Sequence, residues 1–442
     1  MNNLIKINKK IESFDQKINV TGDKSLSIRW VLLASQTTGK SKAYNLLMSE
    51  DVLAAIESIK KLGIKVKIYK NYCEIIGNGI NGFKYKKNLT INAQNSGTLG
   101  RLILGLLIKS PTKIELIGDK SLSKRDFSRV TIPLKKFGAK FYYKKKNKLP
   151  LSILGSESVK NINYLENKGS AQCKSSIMFA ALNSSGTTSI KAKKSRNHTE
   201  LLFKYLKIPM KVKATKKYDF IDIKQPKKIL AFNYRIPGDI SSSAFFIVLT
   251  ILADDSKLLI KNVNINPSRT GVITILKKMG AKISLKNQKN YRGEKISDIL
   301  VKSAKTLRAI NCPPELNSGA IDEFLVIFLM AARAKGISHF KNISELNQKE
   351  SPRLKLASKI LNMMGIKTEL TRDSIRIYGQ PDLEIKKKIT IKNYLEDHRI
   401  FMMSTIAALT CGGQWKIHNK DSINTSFPSF LKIVKKISNK PL

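Results

Sequence analysis

One pattern returns six times along the chain, and it constrains the fold more than any other feature. In its full form, seen in four copies, an amphipathic stretch ends on Gly and runs into a short alternating segment. Ile59-Lys60-Lys61-Leu62-Gly63-Ile64-Lys65 is the first, and the segments around Gly138, Gly280 and Gly365 match it. A fifth falls near Tyr205-Leu206-Lys207-Ile208, where the Gly is missing, and residues 427–437 form a last helix. A helix whose closing residue turns left-handed favours Gly there, because Gly has no Cβ. Each copy therefore predicts a helix that feeds a strand.

A second element repeats in another phase: a small polar cluster that opens an apolar helix. The clusters are Gly22-Asp23-Lys24-Ser25, Asn95-Ser96-Gly97-Thr98, Gly169-Ser170-Ala171-Gln172, Gly238-Asp239-Ile240-Ser241, Asn317-Ser318-Gly319-Ala320 and Glu396-Asp397-His398-Arg399. Ser, Asp and Asn at such places are N-cap chemistry. Between the clusters lie weak strand signals, at 65–69, 282–285 and 374–378. The apolar stretches 102–108, 177–182, 245–252 and 324–332 are hydrophobic nearly all round, as in helices buried inside a domain. The reading is six α/β units of about 70 to 80 residues, each with one buried and one amphipathic helix. If the buried helices of a domain point their N-termini to one face, their partial positive ends make an anion site there.

Composition enters where partners are concerned. The chain has 442 residues and a net charge of +49, but of its 81 basic residues only 14 are Arg. Nucleic-acid readers favour Arg for bidentate contacts. The Lys tracts at 84–87, 144–146 and 386–388 are dispersed, and they read as solvated surface, so no nucleic-acid partner is expected. With 42% hydrophobic residues the chain is no disordered polycation, and its length calls for two domains. Apolar runs reach only nine residues, at 245–253 and 324–332, about half a membrane span. No apolar core of a secretory signal stands before Asp23. The cysteines (Cys73, Cys173, Cys312, Cys411) are dispersed, which points to the cytoplasm, no disulfide and no zinc site.

Several clusters carry more than caps. In chain order they are Gly22-Asp23-Lys24-Ser25-Leu26-Ser27-Ile28-Arg29, Asn95-Ser96-Gly97-Thr98 with Arg101, Gly169-Ser170-Ala171-Gln172 with Lys174-Ser175, and Ser195-Arg196-Asn197-His198-Thr199-Glu200. Pro237-Gly238-Asp239-Ile240-Ser241-Ser242, Asn266-Pro267-Ser268-Arg269-Thr270-Gly271 and Ile321-Asp322-Glu323-Phe324 follow. Lys349-Glu350-Ser351, Asp397-His398-Arg399 and Ser426-Phe427-Pro428 end the series. Together they resemble the 5-enolpyruvylshikimate-3-phosphate synthases over nearly the whole chain.

The resemblance implies an α/β (α+β) fold of two domains, each made of three βαβαββ-type units with buried parallel helices. Residues 1–20 with 238–442 would form one domain and residues 21–237 the other, with the active site in the cleft between them. It implies transfer of the carboxyvinyl group of phosphoenolpyruvate to the 5-hydroxyl of shikimate 3-phosphate, releasing phosphate by addition and elimination. Neither metal nor organic cofactor is implied. The partners expected are small anionic substrates, with no membrane and a monomeric chain. Such chemistry needs an acid and a base in one pocket, and cations around two phosphates and a carboxylate.

By the same resemblance Arg125, Arg353 and Arg399 clamp phosphoenolpyruvate, with a backbone N–H from Gly97 and with Gln172 between the two ligands; Arg101 supports that loop. Arg suits this task because it pairs bidentately with phosphate and carboxylate. Lys24, Ser25, Arg29, Ser170, Ala171, Gln172 and Ser195 hold shikimate 3-phosphate, and Lys24 touches both ligands. Asp322 is the base for the 5-hydroxyl, Glu350 the acid for C3, and Lys349 orients the substrate. Each residue also has a plainer reading. Ser at a helix start is commonly an N-cap, and so is Asp322 before an apolar helix. Glu323 beside it could share either role. Lys349-Glu350 could be an exposed ion pair worth little, and His398 a buried structural histidine.

The chain departs from the usual pattern at Leu102, Asp126, Asn347, Pro352, Glu396 and Thr425. These positions bear on affinity and inhibitor response more than on reaction type. Three rivals stand beside the reading. An enolpyruvyl transferase for UDP-N-acetylglucosamine would carry a reactive Cys between residues 110 and 124, where this chain has none, and Asn at the place of Ser25. The others are a basic nucleic-acid-binding protein and an inactive relative.

Overall fold

The structure is a computed structural model that describes residues 3–438. Its chain divides into two compact units. One takes the N-terminal segment to Thr21, then Pro237–Tyr291, then everything from Lys295 onward. The other is Gly22–Ile236 with the short piece Arg292–Glu294. Among the described residues the strands form six sheets of three or four strands, three in each unit.

Residues 89–154 show the repeat in its full form. Strand Leu89–Asn92 leads to helix Gly97–Leu106, strand Ile114–Ile117, helix Ser128–Lys136 and the hairpin Lys140–Tyr143 with Leu151–Leu154. The first two strands pair in parallel across the first helix, and the remaining contacts are antiparallel. Residues 163–224 repeat this order. The other sheets are completed from afar. Asn233–Arg235, at the end of the second unit, lies parallel to Lys42–Tyr44 at its start and so closes that unit on itself. In the first unit Asp15–Asn19 serves the strand Lys257–Asn264, and Leu4–Ile7 pairs antiparallel with Gln414–His418. The fifth sheet lacks its parallel partner strand; isolated bridges at Arg308 and Asn311 stand in for it.

Six helices run through the two cores: Lys24–Ser35, Gly97–Leu106, Ala171–Ala181, Ile240–Leu252, Phe324–Ala332 and His398–Cys411. All residues of the last three are buried. Five begin as the polar clusters predict, on the side chains of Asp23, Ser96, Ser170, Asp239 and Asp397, which accept from the backbone N–H of Leu26, Leu99, Cys173, Ser241 and Arg399. The fifth in chain order does not. Asn317–Ala320 forms a separate short turn, and Phe324–Ala332 starts after Glu323 with no side-chain cap. Packing is close: a Cβ on Gly105 would lie 2.2 Å from the Ser176 carbonyl oxygen, so Gly lets these two helices touch backbone to backbone.

One amphipathic helix accompanies each buried one, at Glu50–Lys61, Ser128–Lys136, His198–Tyr205, Gly271–Lys278, Arg353–Met363 and Phe430–Ser438. Gly63, Gly138, Gly280 and Gly365 follow four of them with φ between 85° and 106°. At the position without Gly, Lys207 itself turns left-handed, at φ 55°. Phe427 and Phe430 pack on Phe246, which fastens the last helix to the core of the first unit. The four cysteines are free and buried, and burial pushes the Cys73 and Cys173 thiols up to about 12, so neither is a ready nucleophile. Among the described residues no helix is long and apolar enough to cross a membrane.

Candidate functional site

Each unit brings the N-terminal ends of its buried helices together, and the residues singled out by motif stand there. In the first unit Ser241, in the first turn of Ile240–Leu252, donates to the Glu323 carboxylate at the start of Phe324–Ala332. Arg399, in the first turn of His398–Cys411, donates from Nη1 to the Asp322 carbonyl oxygen at 2.6 Å. Three partial positive helix ends therefore share one place.

At its centre is Arg353, whose side chain is only 2% exposed. Its Nε donates to Asp397 Oδ2 at 2.8 Å, and Nη2 reaches Glu350 Oε2 at 2.5 Å and Asp397 Oδ1 at 3.2 Å. Asp322 Oδ1 lies 3.7 Å from Nη1 and 3.2 Å from Lys349 Nζ. Among the described residues Nη1 makes no hydrogen bond, so this edge of the guanidinium is the one left for an incoming anion. Burial alone would weaken the charge on Arg353, but Asp397, Glu350 and Asp322 outweigh it and hold the guanidinium protonated. Burial would likewise push the Asp397 carboxyl up; the Arg353 guanidinium outweighs that and keeps it below the usual carboxylate range.

The structure thus joins Asp322, Lys349, Glu350, Arg353 and Arg399. Asp322 does not cap a helix, and Lys349-Glu350 is no isolated surface pair. His398 supports from behind: Thr425 Oγ1 donates to the Ser422 carbonyl and accepts from His398 Nδ1 at 3.1 Å. Pro352 stands just before helix Arg353–Met363, where a missing N–H costs nothing.

In the second unit the predicted residues fall into two groups, with Lys24 separate. Gly97, Arg101, Arg125 and Gln172 form the first. A Cβ on Gly97 would meet Arg101 Nη1 at 2.8 Å and Arg125 Nη1 at 3.1 Å, so a larger residue would fill the cradle between the two guanidiniums. Arg101 Nη1 donates to Gln172 Oε1 at 2.9 Å, and Gln172 Nε2 to Thr98 Oγ1 at 3.1 Å. Arg125 is braced by Asn95 Oδ1 at 3.1 Å. Asp126 fits here without harm: its carbonyl accepts from Arg101 and its carboxylate from the Ser128 N–H.

Arg29 heads the second group. Its Nε donates to Thr199 Oγ1 at 2.8 Å, Nη2 to Ser175 Oγ at 3.0 Å and Nη1 to the Ser25 carbonyl at 3.1 Å. Ser170 and Ala171 open helix Ala171–Ala181, where the first N–H groups have no partner within the helix. The Ser170 hydroxyl oxygen caps that helix, accepting from Cys173 N–H at 3.2 Å, as the plainer reading has it. Ser195 Oγ is buried with no hydrogen-bond partner among the described residues, as a group awaiting a ligand would be. Lys24 stands apart from these, paired with Asp51 at 2.8 Å.

Asp51, Ser175 and Thr199 act on predicted residues but drew no individual role from the sequence, and Asp397 drew only that of a cap. Asp51 follows Lys24 by 27 residues and Asp397 follows Arg353 by 44, and no periodicity marks such pairs. Among the described residues no cluster of His, Cys, Asp and Glu has the form of a metal site.

Comparison with known proteins gives a consistent result. The profile of the family described as EPSP synthase (3-phosphoshikimate 1-carboxyvinyltransferase) matches residues 8–434. A 3-phosphoshikimate 1-carboxyvinyltransferase of Vesicomyosocius okutanii is 39% identical over 421 residues, which is 95% of this chain and 94% of that one. Among solved structures, EPSP synthase from Acinetobacter baumannii superposes with a TM-score of 0.85 at 33% identity, covering 98% of this chain and 97% of that one. The enolpyruvyl transferase NikO from Streptomyces tendae shares the fold alone, with a TM-score of 0.75 at 13% identity over 98% of this chain and 97% of that one.

Proposed function

The chain belongs to the EPSP synthase family, and from that premise we propose that it is an enzyme transferring the carboxyvinyl group of phosphoenolpyruvate to the 5-hydroxyl of shikimate 3-phosphate. The observation that carries the reading is the meeting of Asp322, Glu350 and Lys349 around the buried Arg353. An acid, a base and anion-binding cations stand there within one site. The UDP-N-acetylglucosamine alternative is not favoured, and the relatives bear the shikimate enzyme's name.

In the mechanism we propose, Asp322 accepts the proton of the 5-hydroxyl while the hydroxyl oxygen bonds to C2 of the enol, and Glu350 delivers a proton to C3. The tetrahedral adduct then returns a proton from C3 to the Glu350 carboxylate and expels phosphate from C2. Arg353, through Nη1, and Arg399 neutralise the phosphoenolpyruvate carboxylate and phosphate, joined by Arg125 and the Gly97 N–H. Lys349 holds Asp322 in place against the substrate hydroxyl. Ser25, Arg29, Ser170, Ala171, Gln172 and Ser195 bind shikimate 3-phosphate, and Lys24 exchanges Asp51 for the substrates. With this goes the division of labour expected from the sequence. Residues 21–237 hold shikimate 3-phosphate, while 1–20 with 238–442 supply acid, base and two of the arginines. We take the enzyme to act as a cytoplasmic monomer on small anions, with no role for nucleic acid.

Phosphate release tests the assignment. It is expected only when phosphoenolpyruvate and shikimate 3-phosphate are both present, and not when UDP-N-acetylglucosamine replaces the latter. Release with phosphoenolpyruvate alone, or none with both, contradicts it.

A further inference from the structure

Beneath the residues proposed to bind shikimate 3-phosphate lies a buried ion pair that their roles leave unexplained. Lys174 Nζ lies 2.5 Å from Glu200 Oε1, with the Lys174 side chain fully buried and that of Glu200 only 7% exposed. Among the described residues Lys174 has no other ionic partner. The pair joins two helices that each carry a proposed binding segment on their approach. Ser170, Ala171 and Gln172 open helix Ala171–Ala181, while Ser195 stands just before helix His198–Tyr205. The approaches adjoin, since a Cβ on Gly169 would lie 3.3 Å from the Lys194 carbonyl oxygen.

Contacts between these helices form one stripe: Lys174 with Glu200, Ser175 with Thr199 at 2.7 Å, and Phe179 with Phe203 edge to face. The Ser175–Thr199 pair in turn holds Arg29. Phe179 and Phe203 supply the adhesion, but apolar contact is non-directional and allows sliding. A buried ammonium–carboxylate contact fixes the distance between two particular points, one on each helix. It also carries a desolvation penalty that two apolar side chains would avoid, so stability alone does not account for it.

We propose that Lys174 and Glu200 are positioning residues, which lock the two helices in the register that sets Ser195 and Arg29 against the Ser170–Gln172 turn. The proposal rests on the reading of this face as the shikimate 3-phosphate site. Its consequence is selective: losing the pair impairs that substrate most, because Arg125, Arg353 and Arg399 stand outside the two helices and phosphoenolpyruvate shares only Gln172 with the displaced turn.

The test uses the full chain and three variants: Lys174→Met, the double variant Lys174→Met/Glu200→Leu, and Lys174→Arg. The single variant strands a buried carboxylate and is expected to melt early; the double variant removes both charges and is expected to melt near the native protein. KM for shikimate 3-phosphate, and its Kd by calorimetry without phosphoenolpyruvate, should rise about tenfold in the double variant, as a displaced binding group would cause. KM for phosphoenolpyruvate should stay within about twofold, and Lys174→Arg should recover most of the loss. A folded double variant with native KM and Kd for shikimate 3-phosphate overturns the proposal, as does an equal rise in both KM values. If the double variant does not fold, failure of Lys174→Arg to hold the native Kd overturns it. Native protein that binds no shikimate 3-phosphate sinks the functional reading itself, and the proposal with it.

Discussion

Arg353 answers to three carboxylates, and their separate duties decide what each substitution should do. Asp397 takes two of its nitrogens and caps the helix that carries Arg399, so one buried side chain aims two arginines. Glu350 and Asp322 sit on the more exposed side, where a substrate can compete for them. Replacing either by Ala should lower kcat on the order of 10²-fold or more if they are the acid and base. Steady-state phosphate release measures this, and full activity in either variant would remove the assignment. The sequence made these residues visible through the family resemblance of motifs in order; by type alone Asp322 reads as a cap and Lys349-Glu350 as a surface pair. It concealed Asp397 as the brace of Arg353, and Asp51 as the partner of Lys24. Those contacts depend on where helices meet, and motifs within one helix do not encode that.

Helices and their ends were the most legible elements. A left-handed closing residue leaves a Gly, and a cap leaves a Ser or Asp, so both repeat phases could be followed by eye. The exceptions are informative. At Asn317–Ala320 the cluster has the composition of a cap, but it forms a short turn of its own and the Asn317 side chain donates to the Lys341 and Asn342 carbonyls, so residue type alone misplaces the helix start. At Lys207 the repeat demands a left-handed residue although Gly is missing, and the backbone complies: Ile208 N–H still bonds the Phe203 carbonyl, as Ile64 does to Ile59 and Ile366 to Leu361. A Lys in that conformation costs about 1 kcal/mol relative to Gly. Lys207→Gly should therefore stabilise this unit and raise its melting temperature by about 2 °C in a calorimetric scan. A lower melting temperature would show that the Lys207 side chain contributes more than its backbone costs.

For the whole molecule, six repeats predicted six units, but not how each sheet is finished. Asn233–Arg235 pairs with residues about 190 positions earlier, and Asp15–Asn19 with strand Lys257–Asn264 far downstream. Periodicity identifies equivalent elements and is silent on which of them lends a strand. The large positive charge also has a place in the fold. On the strand Thr187–Lys193, Lys191 and Lys193 alternate with buried Ile190 and Ala192, and Lys191 Nζ lies 5.0 Å from the Tyr218 ring and 5.6 Å from Phe220. Long Lys stems cover aromatic surface there while their charges stay in water. The resulting field favours capture of small anions at low salt, while the chemistry we propose rests on the few cations of the two clusters. Carbon-labelled phosphoenolpyruvate followed by NMR, with shikimate 3-phosphate and the native chain, tests the central claim most directly. Label should appear in an enolpyruvyl ether at the 5-oxygen, with one phosphate released per ether formed. Label in free pyruvate, or left in phosphoenolpyruvate, would contradict it.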